Sequence, residues 1–172
     1  MIDLAAYIRD VPDFPRTGII FKDITPLLGN HAALREVVRQ LATPFLGLDI
    51  KTVAAIESRG FIFGSAVALE LGAGLVPLRK PGKLPFKTVQ QKYALEYGTD
   101  ALEIHMDAVR PGDRVLMLDD VLATGGTMAA ACDLVSGVGG NIVAISFVVE
   151  LCFLHGRVKL PGYDVRSLIA VK

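Results

Sequence analysis

The feature that most constrains this chain is an alternation. Short runs rich in Val, Ile and Leu, at Thr52–Ile56, Gly74–Leu78, 115–118, 142–149 and Val165–Val171, are separated by stretches with helical apolar spacing. A short apolar run without polar alternation suits a strand covered on both faces, the usual state of parallel strands. Gly60–Leu71 is apolar at most positions, and Met128, Ala131, Cys132, Val135 and Val138 recur at the helical period. An earlier helix is signalled by Leu34, Val37, Val38 and Leu41, with Asn30 as its N-cap. Strand, helix, strand order predicts an α/β fold: a central parallel β-sheet flanked by helices. At 172 residues the chain fits one domain, residues 1–172, with a real core.

Two regions break the alternation. Residues 11–28 contain Pro12, Pro15, Gly18 and Pro26, which predicts a mostly irregular segment laid over the core rather than a core helix. Residues 81–107 open with Pro81, Gly82 and Pro85 and continue into "LEYGTDALEIH", which alternates like two strands. An excursion of that length inside a compact domain is usually a lid or a binding loop, and a flexible lid is the expectation here.

The chemistry concentrates in "VLMLDDVLATGGTM". A buried strand over 115–118 brings Asp119 and Asp120 together to the C-terminal edge of the sheet, where open α/β sheets bind their ligands. Two vicinal carboxylates suit a vicinal diol, because an ionised Asp only accepts hydrogen bonds and each hydroxyl offers a proton. Ala123-Thr124-Gly125-Gly126-Thr127 then leads into a helix. Glycines let the backbone approach a ligand, the first N–H groups of the helix point at it, and two hydroxyls add donors, a cradle for a phosphate monoester. The stretch reads as a ribose 5-phosphate binder. A solvated strand edge, a metal site of the receiver-domain type or a plain strand-to-helix turn would use similar residues. No Gly-Lys-Ser/Thr occurs, and the Gly72/Gly74 and Gly137/Gly139 pairs lack the third glycine of a dinucleotide motif.

The stretch resembles the phosphoribosyl-diphosphate (PRPP) motif of the type I phosphoribosyltransferases. "FPRTGIIFKDITPLL", "IESRGFIFG", "RKPGKLP", "YALEYG" and "GRVKL" carry the resemblance over nearly the full chain and narrow it to the adenine branch. It implies a type I phosphoribosyltransferase fold with a small N-terminal hood over residues 1–30, and displacement of pyrophosphate from C1′ of PRPP by N9 of adenine, giving AMP. It places pyrophosphate at Glu57-Ser58-Arg59-Gly60, a second strand-to-helix turn with a forked cation, and Arg59 joins Glu96 as a catalytic candidate. Arg79, Lys80 and Lys83 add charge from the lid side, unless they form a solvated basic turn. Ile20-Phe21-Lys22 is implied to read adenine, through backbone groups of Ile20 and Lys22 and stacking by Phe21, although Phe21 also suits ordinary core packing. Some relatives carry Arg at the position of Lys22, which separates a backbone role from a side-chain one. Glu96 is the implied proton handler near the imidazole ring, or else a surface hairpin residue, and Tyr97 closes over PRPP. Mg²⁺ is expected to enter with PRPP, held by substrate phosphates and without dedicated protein ligands. The resemblance also implies a homodimer. Within it, an enzyme for another purine and a non-catalytic PRPP sensor are the rival functions.

Composition bounds the partners. Charges balance at 18 against 18, which removes the broad basic footprint of proteins that coat nucleic acid or anionic membranes. "MIDLAAYIRD" has no cationic region or cleavage site, and the most apolar run is interrupted by Glu150, so a cytoplasmic protein is expected. Cys132 and Cys152 lack ligand spacing and are expected to be reduced and structural. His31, His105 and His155 share no spacing and are expected to be structural or exposed.

Overall fold

The computed structural model describes residues 2–94 and 99–172. In chain order its elements are β1 (Arg9–Pro12), β2 (Ile20–Asp23), α1 (Thr25–Leu28), α2 (His31–Ala42), β3 (Thr52–Ile56), α3 (Gly60–Leu71), β4 (Gly74–Leu78), β5 (Thr88–Ala94), β6 (Thr99–His105), β7 (Arg114–Leu122), α4 (Gly126–Gly137), β8 (Asn141–Leu151) and β9 (Val165–Val171). The central sheet is parallel throughout and ordered β4-β3-β7-β8-β9.

Both faces of this sheet are buried, which is why its strands read as unbroken apolar runs. Along β7, Leu116 and Leu118 join a core with Val37, Leu41, Phe63 and Val67 of α2 and α3. Val115 and Met117 join a second core with Met128, Ala131 and Val135 of α4. Successive side chains of a strand point to opposite faces, so one run of four residues feeds both cores. The Asn30 side chain accepts from the Ala33 N–H at 3.0 Å and caps α2 as expected. α3 lies close on the sheet because Gly64 leaves room for it; a Cβ there would stand 2.6 Å from the Ala55 Cβ.

The N-terminal segment corrects the irregular reading of 11–28. β1 and β2 form an antiparallel ribbon with Arg9 opposite Asp23 and Asp10 opposite Lys22. Both pairs are ion-paired, Arg9 Nη2 to Asp23 Oδ2 at 2.5 Å and Lys22 Nζ to Asp10 Oδ1 at 2.6 Å. The breakers do not break it: Pro12 ends β1, Pro15 and Gly18 lie in the connecting turn, and Pro26 sits in the first turn of α1, where a missing N–H costs nothing. A two-stranded ribbon is marginal by itself. Ile24 and Leu27, buried in the α2/α3 core just after β2, pin it to the domain.

The excursion forms an antiparallel hairpin, β5 with β6, in register from Thr88 opposite His105 to Ala94 opposite Thr99. Leu102 and Ile104 are buried in the second core against α4, so the stem is part of the packed body. The 95–98 connection, with Glu96 and Tyr97, lies outside the described residues.

Candidate active site

The connections set the place of the site. From β3 the chain runs through α3 to β4 on one side, and from β7 through α4 to β8 on the other. The gap between β3 and β7 is therefore a topological switch point, where the two following loops diverge and leave a crevice. A cleft of about 520 Å³ opens there. β7 continues past the expected end at 118 to Leu122, still paired with β8 but beyond its last pairing with β3, Ala55 opposite Leu118. Asp119 and Asp120 thus sit on a strand held on one side only, and both line the cleft. The carboxylates look like terminators in sequence, yet strand pairing is a backbone property and β8 supplies it.

Asp119 and Asp120 have different surroundings. The Asp119 Oδ1 accepts from the Asp120 N–H at 2.9 Å and lies beside the start of α3. A Cβ on Gly60 would stand 2.7 Å from that oxygen, so the glycine of "ESRG" is required by a carboxylate of the other loop. Burial, then the neighbouring Asp120 charge, holds the Asp119 carboxyl well above the usual aspartate range. Burial also raises Asp120, against the opposing pull of Arg59. The Arg59 Nε lies 2.7 Å from Asp120 Oδ2. That oxygen is nonetheless buried without a hydrogen-bond partner among the described residues, since proximity without alignment is not a hydrogen bond. A second face of the Arg59 guanidinium covers the Phe21 ring, 5.1 Å from its centroid, and Phe14 meets Phe21 edge-on at 5.2 Å.

Behind the acids, a smaller cavity of about 80 Å³ is bounded by Ala123, Thr124, Gly125 and Thr127. Gly125 caps α4 with φ at 78°, a left-handed conformation that suits glycine. Gly126 and Thr127 form the first turn of α4, whose N–H groups have no acceptor within the helix. The five residues expected to hold a phosphate are thus brought together at one helix start.

The cations on the lid side are engaged. Glu57, nearly buried, receives Arg79 Nε at 2.8 Å and Lys83 Nζ at 2.5 Å. Burial works to raise Glu57, but Lys83 and Arg79 outweigh it and its pKa is lowered. Lys80 pairs with Asp100 at 3.0 Å and faces the cleft together with Glu57, Ser58 and Arg59. Arg79 and Lys83 stand one layer back, reaching the cleft through Glu57. Ile20, Phe21 and Lys22 also line the cleft. The Lys22 ammonium is occupied across the ribbon by Asp10, which leaves its backbone to the cleft.

Tyr93 and Asp100, paired across the hairpin, also line the cleft and were given no role by sequence reasoning. The Tyr93 hydroxyl is in hydrogen-bonding reach of Thr127 and Asp100; burial raises its pKa and the Thr127 bond opposes that. The signal was the first Tyr of "YALEYG", overshadowed by Glu96 and Tyr97. None of the three histidines lines the cleft. Cys132 and Cys152 are both free, and burial, then Asp133, pushes the Cys132 thiol up to about 12. Among the described residues, no group of three or more His, Cys, Asp or Glu converges to hold a metal, and no helix is long and apolar enough to cross a membrane.

Residues 26–162 match the phosphoribosyl transferase domain family. An adenine phosphoribosyltransferase of Nitrosococcus oceani is 56% identical over 166 residues, covering 96% of this chain and 97% of its own. The crystal structure of adenine phosphoribosyltransferase from Thermoanaerobacter pseudethanolicus superimposes with a TM-score of 0.95 at 51% identity, covering 98% of both chains. That of the Saccharomyces cerevisiae enzyme, complexed with an imino-altritol bisphosphate and adenine, gives 0.91 at 39% identity over 96% of both chains. This chain belongs to the phosphoribosyltransferase family, among relatives named adenine phosphoribosyltransferase.

Proposed function

We propose that this protein transfers the phosphoribosyl group of PRPP to adenine, giving AMP and diphosphate in purine salvage. The observation that carries the reading is the buried Asp120 Oδ2, left without a hydrogen bond beside Asp119, at the mouth of a glycine turn that starts α4. The Arg59 charge offsets this carboxylate without donating a bond to it, so the oxygen keeps an acceptor site that a ribose hydroxyl can fill. The phosphate on C5′ then falls to Ala123, Thr124, Gly125, Gly126 and Thr127, and the 2′- and 3′-hydroxyls to Asp119 and Asp120.

In the reaction, N9 forms a bond to C1′ as the C1′–O bond to diphosphate breaks, and the imidazole proton leaves. Glu96 is our candidate acceptor for that proton. Arg59 faces the departing diphosphate together with Ser58 and the Gly60 N–H at the start of α3. Lys80, Arg79 and Lys83 supply charge as their pairs with Asp100 and Glu57 loosen, and Tyr97 closes the cleft against water. Mg²⁺, when bound with PRPP, would supply positive charge to the leaving diphosphate. The residues suit an ion held by the substrate's own oxygens, since the nearest acids are the diol pair and the ion-paired Glu57. Adenine lies on Phe21, with the backbone of Ile20 and Lys22 reading its edge. Hypoxanthine reverses the donor and acceptor order at that edge, a mismatch able to discriminate by as much as ~10⁴.

We also read residues 1–172 as one domain, with a hood over 1–30 and a lid over 81–107, acting as a cytoplasmic homodimer. Free thiols and the exposed Ile62, Leu69 and Leu75 on α3 and β4 support that reading. The test is diphosphate release from PRPP and Mg²⁺ across a panel of purines. Release with adenine alone is expected. Equal turnover with hypoxanthine or guanine would overturn the choice of base, and no release with any purine would overturn catalysis in favour of a PRPP sensor.

A further inference from the structure

Gly156 belongs to a segment far from the glycine turn in sequence, yet its backbone forms the rear wall of that turn. A Cβ built on Gly125 collides with the Gly156 carbonyl, and one on Gly156 collides with the Ala123 carbonyl and stands 2.9 Å from the Leu122 side chain. Backbone meets backbone with no side chain between. Any displacement of Gly156 is therefore passed directly to residues 123–125.

The segment that carries Gly156 has little of its own to hold it. It consists of two 3-10 turns, Cys152–Leu154 and Gly156–Lys159, joined at His155 with φ at 52°. Phe153 and Val158 are 54% and 78% exposed, while Leu160 at the far end is buried in the core against α4. The anchor beside Gly156 is Arg157. Its Nε and Nη2 donate to the two oxygens of Glu150 at 2.7 and 2.6 Å, a forked pair. Nη1 donates to the Val165 carbonyl at 2.6 Å, and Nη2 also reaches Ser167 Oγ at 3.2 Å. Ser167 Oγ donates back to Glu150 Oε2 at 2.6 Å. Glu150 is 7% exposed and stands in register with Leu122, the residue before the turn. One guanidinium thus ties the ends of β8 and β9 to the segment behind the phosphate cavity.

We propose that Arg157 is a positioning residue for the 5′-phosphate turn, holding Gly156 as the surface against which residues 123–125 are set. This rests on the reading of that turn as a phosphate site. Misplacement of a binding loop by a fraction of an ångström lowers affinity for the group it holds and leaves distant subsites alone.

The experiment compares AMP with adenosine, which lacks the phosphate, by calorimetry. Arg157→Met alone leaves Glu150 buried and unpaired and invites unfolding. The main variant is therefore the double substitution Arg157→Met/Glu150→Leu, with Arg157→Lys as the conservative partner and thermal melts as the check on folding. In the folded double variant the ratio of AMP to adenosine affinity is expected to fall roughly tenfold, with adenosine affinity unchanged. Arg157→Lys, which keeps the charge but not the fork, falls between it and the wild type. A folded variant that keeps the wild-type ratio, or that loses affinity for both ligands equally, overturns the proposal. If the double variant does not fold, the same two outcomes are read from Arg157→Lys. A wild-type protein that binds AMP no better than adenosine overturns the phosphate reading itself, a result recognisable before any variant is made.

Discussion

The two ends of the cleft are built from different materials. At the phosphate end the shape is set by backbone against backbone, Gly125 on Gly156 and Gly156 on Ala123, beside a buried parallel sheet. At the purine end the wall is a two-stranded ribbon closed by the exposed pairs Arg9–Asp23 and Lys22–Asp10. Steric contacts between main chains have no soft response, whereas exposed ion pairs contribute little and yield to salt. The first end is suited to holding an invariant group, the second to opening and closing on a flat ring.

The largest effect that tests this contrast comes from two glycines of similar conformation. Gly125 has φ at 78° and no room for a Cβ, while Gly18, at the ribbon turn, has φ at 87° and open space around it. Gly125→Ala is expected to lower kcat/KM for PRPP by about 100-fold or more. Gly18→Ala is expected to cost about 1 kcal/mol in a denaturant melt with kcat/KM unchanged. Equal losses in the two variants would dissolve the distinction.

Next comes pH. The Asp119 pKa is raised in the fold, so its neutral form favours the native state at low pH and that contribution is lost as pH rises from about 4 through the folded value. Ionised Asp119 is the better acceptor for a diol, so ligand affinity should move the other way, increasing by about tenfold over the same window. Adenosine titrations avoid the ligand's phosphate ionisation. The affinity gain should level off at the folded pKa at which the stability loss ends, and both should shrink in Asp119→Asn; a profile unchanged by that substitution would assign them to another group.

A smaller effect is expected at Glu57, which occupies Arg79 and Lys83. Glu57→Gln should strengthen diphosphate binding severalfold at low salt, with the gain fading at high salt as the freed cations are screened. Unchanged affinity at all salt concentrations would show that these cations do not reach the ligand. The smallest change is expected from Lys22→Met: its ammonium is held by Asp10, so the KM for adenine should stay within about twofold, as for loss of an exposed pair. A tenfold rise would assign the side chain to the base.

How much of this was legible in the sequence depends on whether a feature is local. The strands at 52–56, 74–78 and 165–171 and the Asn30 cap appear as read, because burial on both faces and capping leave their signature in adjacent residues. The glycine turn was readable for the same reason. β7 was cut short at 118 because Asp119 and Asp120 look like an ending, and only the partner strand shows otherwise. The ribbon was hidden by its prolines, which sit at its ends and in its turn. Arg79 and Lys83 were recognised as cations, but their shared partner Glu57 is a fact of three dimensions. Gly156 was quoted as part of a block and given no purpose, since nothing near it in the chain points to Gly125.

One residue of β4 bears on how this molecule lives among its own copies. β4 is the outer strand of the sheet, and Gly74 and Leu78 both bond inward to β3, through the Gly74 N–H to Lys51 and the Leu78 carbonyl to Glu57. Residues 75 and 77 therefore direct their main-chain groups to the unpaired flank. Residue 77 is proline, so no inward bond is lost and the flank is short of a donor where a stray chain would dock. Just above it, Arg79 and Glu103 close the flank with reciprocal bonds of 3.0 and 2.7 Å. Sideways addition of a strand along β4 is thus opposed at one position by a single missing hydrogen.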